Sequence, residues 1–138
     1  LQKHRASGNF VVVSSTNALC GKSDLPAYSA SKAALDIFMK NTASALMRNK
    51  WPIRLNAIHL GWTATPNEHA VMTGYEKQPQ DWVNDADRQA PFGRILRPED
   101  VAEETAFLLS NGSSMRSGDI LHLELWPEGV HPAYFSNS

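Results

Sequence analysis

The sequence predicts an α/β domain built on an open parallel sheet, and three observations carry that prediction. An apolar run centred on Phe10-Val11-Val12-Val13 and a second strand read from Ile53 to Leu60 flank a helical stretch from about Ala27 to Asn49. A further helix and a third apolar segment, Asp119 to Leu125, continue the alternation. Runs that are apolar on both faces suit strands covered on both sides, as in parallel sheets. A strand, a long helix and another strand make a βαβ unit, whose crossover is right-handed in nearly all cases.

The first strand spans Asn9 to Ser14, after a turn at Ala6-Ser7-Gly8 and a polar Leu1 to Arg5 that reads as the end of a helix. A loop with Gly21, Ser23, Asp24 and Pro26 as breakers follows. In the next stretch Ala30, Ala33, Ala34, Ile37, Phe38, Ala45 and Leu46 recur at three-and-four spacing, which marks a helix with a closely packing alanine face. Trp51-Pro52 stops it, because proline lacks the N–H and disfavours helix in the residue before it. The second strand, Ile53 to Leu60, ends at Gly61.

Between Thr63 and Phe92 no period holds for long, and Trp62, Met72, Tyr75 and Trp82 are mixed with polar residues. Such a stretch reads either as a functional lid, residues 66–92, or as a pair of short surface helices with aromatics tucked into the core. Regularity returns at Arg97-Pro98-Glu99-Asp100, where proline suits the first helical position and carboxylates the positive end of the helix dipole. Val101, Ala102, Thr105, Ala106, Leu108 and Leu109 mark one face, and Asn111-Gly112 supplies a stop.

Composition excludes several classes of function. The 138 residues suffice for one domain, and 13 basic against 14 acidic residues leave a net charge of -1, with no footprint for nucleic acid or an anionic membrane. Cys20 is the single cysteine, so no internal disulfide forms and a reducing compartment is the simpler reading. No apolar run approaches the roughly 20 residues needed to span a bilayer, and no signal peptide opens the chain. The expectation is a soluble, cytoplasmic protein. His4, His59, His69, His122 and His131 are scattered without metal-ligand spacing, so no metal site is expected. Asp85, Asp87, Glu99 and Asp100 read as solvated loop and helix-start carboxylates.

Chemistry concentrates at Ser14-Ser15 and at Tyr28-Ser29-Ala30-Ser31-Lys32. Tyrosine and lysine at i and i+4 share a helix face. In an open parallel sheet a ligand lies beyond the carboxyl ends of the strands, where Ser14-Ser15, Gly61 to Pro66 and Tyr28 all fall. Free tyrosine titrates near pH ~10 and is a poor base at neutrality. An ammonium one helical turn away favours the phenolate, and Lys32 is placed to be that ammonium. A serine hydroxyl can hydrogen-bond a substrate oxygen as its charge changes during hydride transfer. None of these side chains carries a hydride, so the chemistry requires a redox cofactor such as a nicotinamide.

These residues resemble the short-chain dehydrogenase/reductase family. The resemblance rests on the Tyr28-Ser29-Ala30-Ser31-Lys32 segment, the serine thirteen residues upstream of the tyrosine, Arg54-Leu55-Asn56-Ala57-Ile58 leading to Gly61, Thr65-Pro66, and Arg97-Pro98-Glu99-Asp100-Val101-Ala102. It covers Gly8 to about Leu123 and selects Ser15 over Ser14 as the catalytic serine. It implies the C-terminal half of a doubly wound, parallel-sheet Rossmann-like domain, ordered strand, helix, strand, lid, helix, strand. It further implies an oxidoreductase that moves a hydride between NAD or NADP and an alcohol or ketone. Tyr28 would be the acid/base; Lys32 would promote it and hydrogen-bond the nicotinamide ribose; Ser15 would orient the carbonyl. Gly61, Thr63 and Thr65 would approach the nicotinamide amide and pyrophosphate. Cys20 and Trp62 are candidate linings of the substrate pocket, with a bystander thiol the plainer reading of Cys20.

Two departures and one absence qualify the match. Leu60-Gly61 stands where the family usually has Pro-Gly, and Leu123-Glu124-Leu125-Trp126-Pro127-Glu128-Gly129 stands where its last strand commonly runs into Asp-Gly-Gly. No glycine-rich phosphate-binding loop occurs, so the dinucleotide-binding half is expected upstream, as a covalent or cleaved partner. The family's habit implies a homodimer or homotetramer. The alternative reading is a catalytically silent Rossmann-like nucleotide-binding or scaffold protein that keeps the signature by descent.

Overall fold

The computed structural model describes residues 7–21 and 23–123. The expected helix end at Leu1 to Arg5 and the tail from Glu124 onward lie outside the described residues. Strands β1 (Gly8–Ser15), β2 (Ile53–Leu60) and β3 (Ile120–Leu123) form one sheet in that order. Both pairings are parallel: Gly8 through Ser15 faces Ile53 through Leu60 without a break, and Ala57 through Leu60 faces Ile120 through Leu123. Between β1 and β2 lie α1 (Asn17–Cys20) and α2 (Pro26–Arg48); between β2 and β3 lie α3 (Pro66–Gly74), α4 (Trp82–Gln89), α5 (Pro98–Leu109) and a 3-10 turn at Asn111–Ser113.

Residues an odd number apart on a strand face opposite sides of a sheet. Val12 of β1 packs beneath α2, in a cluster with Met39, Ala43, Leu55 and Ala57. Asn9, three residues earlier, donates from Nδ2 to the Leu109 carbonyl at the end of α5. The two long helices therefore cover opposite faces of β1, the doubly wound arrangement that the alternation of elements predicts.

Polar side chains fix the joints between these layers. The Arg54 guanidinium donates to the carbonyls of Leu108, Ser110 and Ser113, at 3.3, 2.8 and 2.7 Å, at and just beyond the C-terminal end of α5. A cation suits that end of the helix dipole and satisfies carbonyls that the helix itself leaves unpaired. Buried Asn56 donates to the Arg116 carbonyl and accepts from the Asp119 amide, holding the approach to β3. Gly118 sits there at φ +80°, and a Cβ on it would come within 3.4 Å of the Ala43 Cβ. The left-handed turn and the close passage of α2 both favour glycine.

The structure differs from the sequence reading in three places. The loop after β1 contains the single-turn helix α1. The stretch from 66 to 92, in which the sequence holds no sustained period, contains two short helices with Trp82 buried. The first strand was expected to be covered on both faces, yet Phe10 and Val13 of β1 are 59% and 45% exposed. β1 is an edge of the described sheet, and its apolar residues are written for neighbours that these residues do not supply.

Met39 is fully buried in the cluster between α2 and the sheet. Met39→Ala is expected to cost about 2–5 kcal/mol, the range for truncating a long core side chain, read as a lowered midpoint in chemical denaturation with unchanged m.

Candidate active site

The end of β1 delivers Ser14 and Ser15, both buried, to the C-terminal rim of the sheet. The Ser15 Oγ accepts from the Asn17 amide at 3.2 Å, which orients the hydroxyl at the start of α1. A hydroxyl that accepts one bond still has its O–H to donate. Across the ladder Ser15 faces Leu60, and the Leu60 carbonyl receives both the amide and the hydroxyl of Thr16. The rims after β1 and β2 are thereby tied together.

Helix α2 starts with Pro26 in its first turn, where the missing N–H costs nothing. Tyr28 follows within that turn, with its side chain 41% exposed. The Lys32 Nζ lies 5.6 Å from the centre of the Tyr28 ring and donates to the Val13 carbonyl at 3.0 Å. Lys32 thus spans from the tyrosine to the last residues of β1. Among the described residues no hydrogen bond joins Ser15 to Tyr28; they stand on adjacent elements around the same rim.

Beyond β2, the Gly61 amide donates to the Leu123 carbonyl, and the Thr63 hydroxyl donates back to the Gly61 carbonyl at 3.1 Å. Thr65 caps α3 by accepting from the Glu68 amide at 3.0 Å. The same Glu68 accepts from the Trp62 indole at 2.7 Å. Trp62 stacks on Trp82 with ring centres 5.2 Å apart, and the Trp82 indole donates to His69 Nδ1. Ala86, Ala90 and Ile95 complete a small core beneath the stacked pair. Cys20 lies at the far end of α1, exposed, with its thiol directed at the Thr16 carbonyl at 3.6 Å.

A charged network fixes this segment from below. The chain pairs Thr63 with Leu96 in a parallel bridge. On either side of Leu96, the Ile95 amide donates to Asp87 and the Arg97 amide to Asp100. The Arg94 guanidinium makes a bidentate pair with Asp100 at 2.6 and 2.7 Å. Those hydrogen bonds from Arg94, with the Arg97 amide, pull the Asp100 carboxyl down from its ordinary value of 3.8 to about 2. Partial burial pushes Asp87 up, but the hydrogen bonds from Arg97 and the Ile95 amide outweigh it and leave its carboxyl lowered.

Two residues that sequence reasoning passed over face the site from beneath. Asp36 of α2 and His59 of β2 are both buried, and His59 Nε2 lies 2.6 Å from Asp36 Oδ2. The available signal was a carboxylate four residues beyond Lys32, on the helix face that carries the buried Met39 and Ala43. Among the described residues no three His, Cys, Asp or Glu side chains converge as metal ligands, and no helix is long and apolar enough to cross a membrane.

Comparison with known proteins agrees with this architecture. A family model described as enoyl-(acyl carrier protein) reductase matches residues 1–125. The chain is 34% identical over 118 residues to cis-4-hydroxycyclohexanecarboxylate dehydrogenase of Sinomonas cyclohexanicum, covering 86% of this chain and 44% of that protein. It is equally 34% identical over 118 residues to the 3-oxoacyl-(acyl-carrier-protein) reductase of Thermotoga maritima, with 86% and 44% covered. Among solved structures, a variant of actinorhodin polyketide ketoreductase with NADPH superposes with a TM-score of 0.76 at 28% identity, over 89% of this chain and 48% of that one. The 3-ketoacyl-(acyl-carrier-protein) reductase of Brucella melitensis, complexed with NADH, gives 0.69 at 27%, over 88% and 45%. The chain spans less than half the length of these two curated relatives.

A carboxylate with a lowered folded-state value stabilises the fold above its unfolded value and loses that contribution as pH falls through the folded one. Asp100→Asn is therefore expected to lower stability by about 1 kcal/mol at neutral pH, in the range of a lost cap. The difference from the parent should shrink from about pH 5 and vanish only below pH 2, as followed by denaturant titration at each pH.

Proposed function

The chain belongs to the short-chain dehydrogenase/reductase family, and from that premise we propose that it forms the proton-handling part of an NAD- or NADP-dependent oxidoreductase acting on an alcohol or ketone. In this reading it is the C-terminal part of one Rossmann-like domain, with residues 66–92 as the substrate-binding lid. One observation carries the reading: Ser15, Tyr28 and Lys32 are gathered at one rim of the parallel sheet, where such sheets take their ligands.

Each residue has a separable task. Tyr28 gives its hydroxyl proton to the substrate oxygen in reduction and takes it back in oxidation. Lys32 supplies positive charge beside the Tyr28 ring and is itself held by the Val13 carbonyl. Ser15 has its oxygen fixed by the Asn17 amide and turns its O–H toward the substrate carbonyl, where charge develops. When bound, a nicotinamide dinucleotide would supply or accept the hydride. Tyr28 and Lys32 would hold its ribose, with Gly61, Thr63 and Thr65 near its carboxamide and pyrophosphate. Thr65 fits such a group as a donor: its oxygen accepts from the Glu68 amide and its O–H remains to donate at this rim, whereas the Thr63 O–H and the Gly61 amide are given to the Gly61 and Leu123 carbonyls. Trp62 and Cys20 are the proposed pocket linings, and the Trp62–Trp82 stack favours an apolar or ring-bearing substrate.

Tyr28→Phe removes the proton and little else, so turnover of the complete protein is expected to fall at least about 100-fold. Ser15→Ala should cost about 10- to 1000-fold. Both are read as cofactor oxidation or reduction at 340 nm with intact folding. Full turnover in Tyr28→Phe would remove Tyr28 from the acid/base role, and the absence of any thermal shift with NAD(H) and NADP(H) would favour a scaffold.

A further inference from the structure

We propose that the buried Asp36–His59 pair is a positioning element for the reacting groups: it sets where Lys32 and Tyr28 stand relative to the end of β1. The proposal rests on the reading of Tyr28 as the proton-transfer group, but its geometry can be tested without it.

Tyr28, Lys32 and Asp36 are successive members of an i, i+4 stripe, so they share one face of α2. Over the turn from Lys32 to Asp36 that face meets the sheet through polar ties. The Lys32 Nζ donates to the Val13 carbonyl at 3.0 Å, the Ser14 Oγ approaches the Lys32 carbonyl at 3.5 Å, and His59 Nε2 meets Asp36 Oδ2 at 2.6 Å. One turn further along, the contact becomes apolar, with Met39 and Ala43 on Leu55 and Ala57. Apolar packing of about the right volume tolerates small slides and rotations, whereas a 2.6 Å hydrogen bond does not. The Asp36–His59 bond is the shortest of the three ties and the only one between two side chains. It is therefore the strongest constraint on the rotation and height of α2 at its reacting end.

The strand side is equally fixed. His59 faces Ser14 on one side of the ladder and His122 on the other. The His122 ring stands nearly perpendicular to it with centres 4.9 Å apart. This row lies one residue below the row of Ser15, Leu60 and Leu123 that forms the rim.

The pair is costly as a source of stability. His59 Nδ1 and Asp36 Oδ1 are buried without a hydrogen-bond partner. Replacing both members of such a pair by apolar residues is often neutral or stabilising, whereas removing one partner strands the other. Stability and positioning can therefore be separated.

The double variant Asp36→Leu/His59→Leu is expected to keep or raise the Tm of the complete protein while kcat falls at least tenfold, with KM for cofactor and substrate within threefold. Single His59→Leu should lower both Tm and kcat. His59→Gln, which can still donate to Asp36, should recover kcat to within threefold of the parent. A crystal structure of the double variant should show the Lys32–Val13 contact lengthened beyond hydrogen-bonding distance while the sheet superposes. A double variant with kcat within twofold of the parent, or one whose crystal structure keeps that contact, would overturn the proposal. Were the parent itself inactive with every nicotinamide cofactor, the proposed function would fail and the crystal structure alone would decide the positioning.

Discussion

The in-register parallel pairing of β1 with β2 is the constraint on which the remaining structure depends. Eight consecutive residues of β1 face eight of β2, and both strands point the same way. A parallel neighbour cannot be reached through a tight turn, so the chain must return over the face of the sheet. Helix α2 is that return. Its N-terminal turn necessarily lies near the carboxyl ends of the strands, and with it Tyr28 and Lys32. The same pairing sets Ser15 opposite Leu60, so the loops after the two strands open at one rim. The gathering of Ser15, Tyr28 and Lys32 at one rim is thus a consequence of strand direction before any side chain is considered.

Side chains then divide α2 into two regimes. Its far half is held by Met39, Ala43 and Leu46 against Leu55 and Ala57, where volume and dryness decide. Its near half is held by directional bonds to Ser14, Val13 and His59. The described residues hold three buried side-chain polar atoms without a partner, on Ser29, Asp36 and His59, and all lie on α2 or on the strand beneath it. Buried polar groups are normally satisfied, because each orphan costs free energy that a core residue would not. Their concentration in and beneath the N-terminal half of one helix marks where the sequence departs from the most stable packing.

Much of this was legible in the residues, for identifiable reasons. The bounds of β2 were readable because a proline before it and a glycine after it punctuate a segment rich in Ile, Leu and Ala. The extent of helix α2 was readable from its periodicity and the Trp51-Pro52 stop, but its packed face was not: Ala30, Ala34, Ile37, Phe38 and Ala45 stand exposed, and Asp36, Met39 and Ala43 are the residues it buries. Helix α1 was not, since one turn is shorter than any period that could announce it. Helices α3 and α4 were blurred because their order comes from contacts with other elements: Trp82 buries itself against Trp62, which belongs to the loop after β2. At the proposed site, Tyr28 and Lys32 were readable as neighbours from their i, i+4 spacing, which survives in one dimension, and Ser15 was singled out by the family resemblance. The Asp36–His59 pair spans 23 residues and two elements. Only the docking of α2 on β2 makes those two residues neighbours.

The exposed apolar residues follow from the same logic as the buried polar ones. Parallel strands are stable when both faces and both edges are covered, because their backbone groups and β-branched side chains are not suited to water. β2 meets that condition, with Leu55 to His59 all buried between β1, β3 and the helices. β1 does not, and Phe10 and Val13 stand open on an edge strand whose partner-facing side is complete. Ile37 and Phe38 repeat the pattern on the outward side of α2, at 60% and 65% exposure. A strand written for burial on both sides, with Ser15 at its end, is consistent with the larger parallel sheet proposed above. The same β1 that closes the proton-handling site against β2 would then join it, along its other edge, to the strands that hold the cofactor.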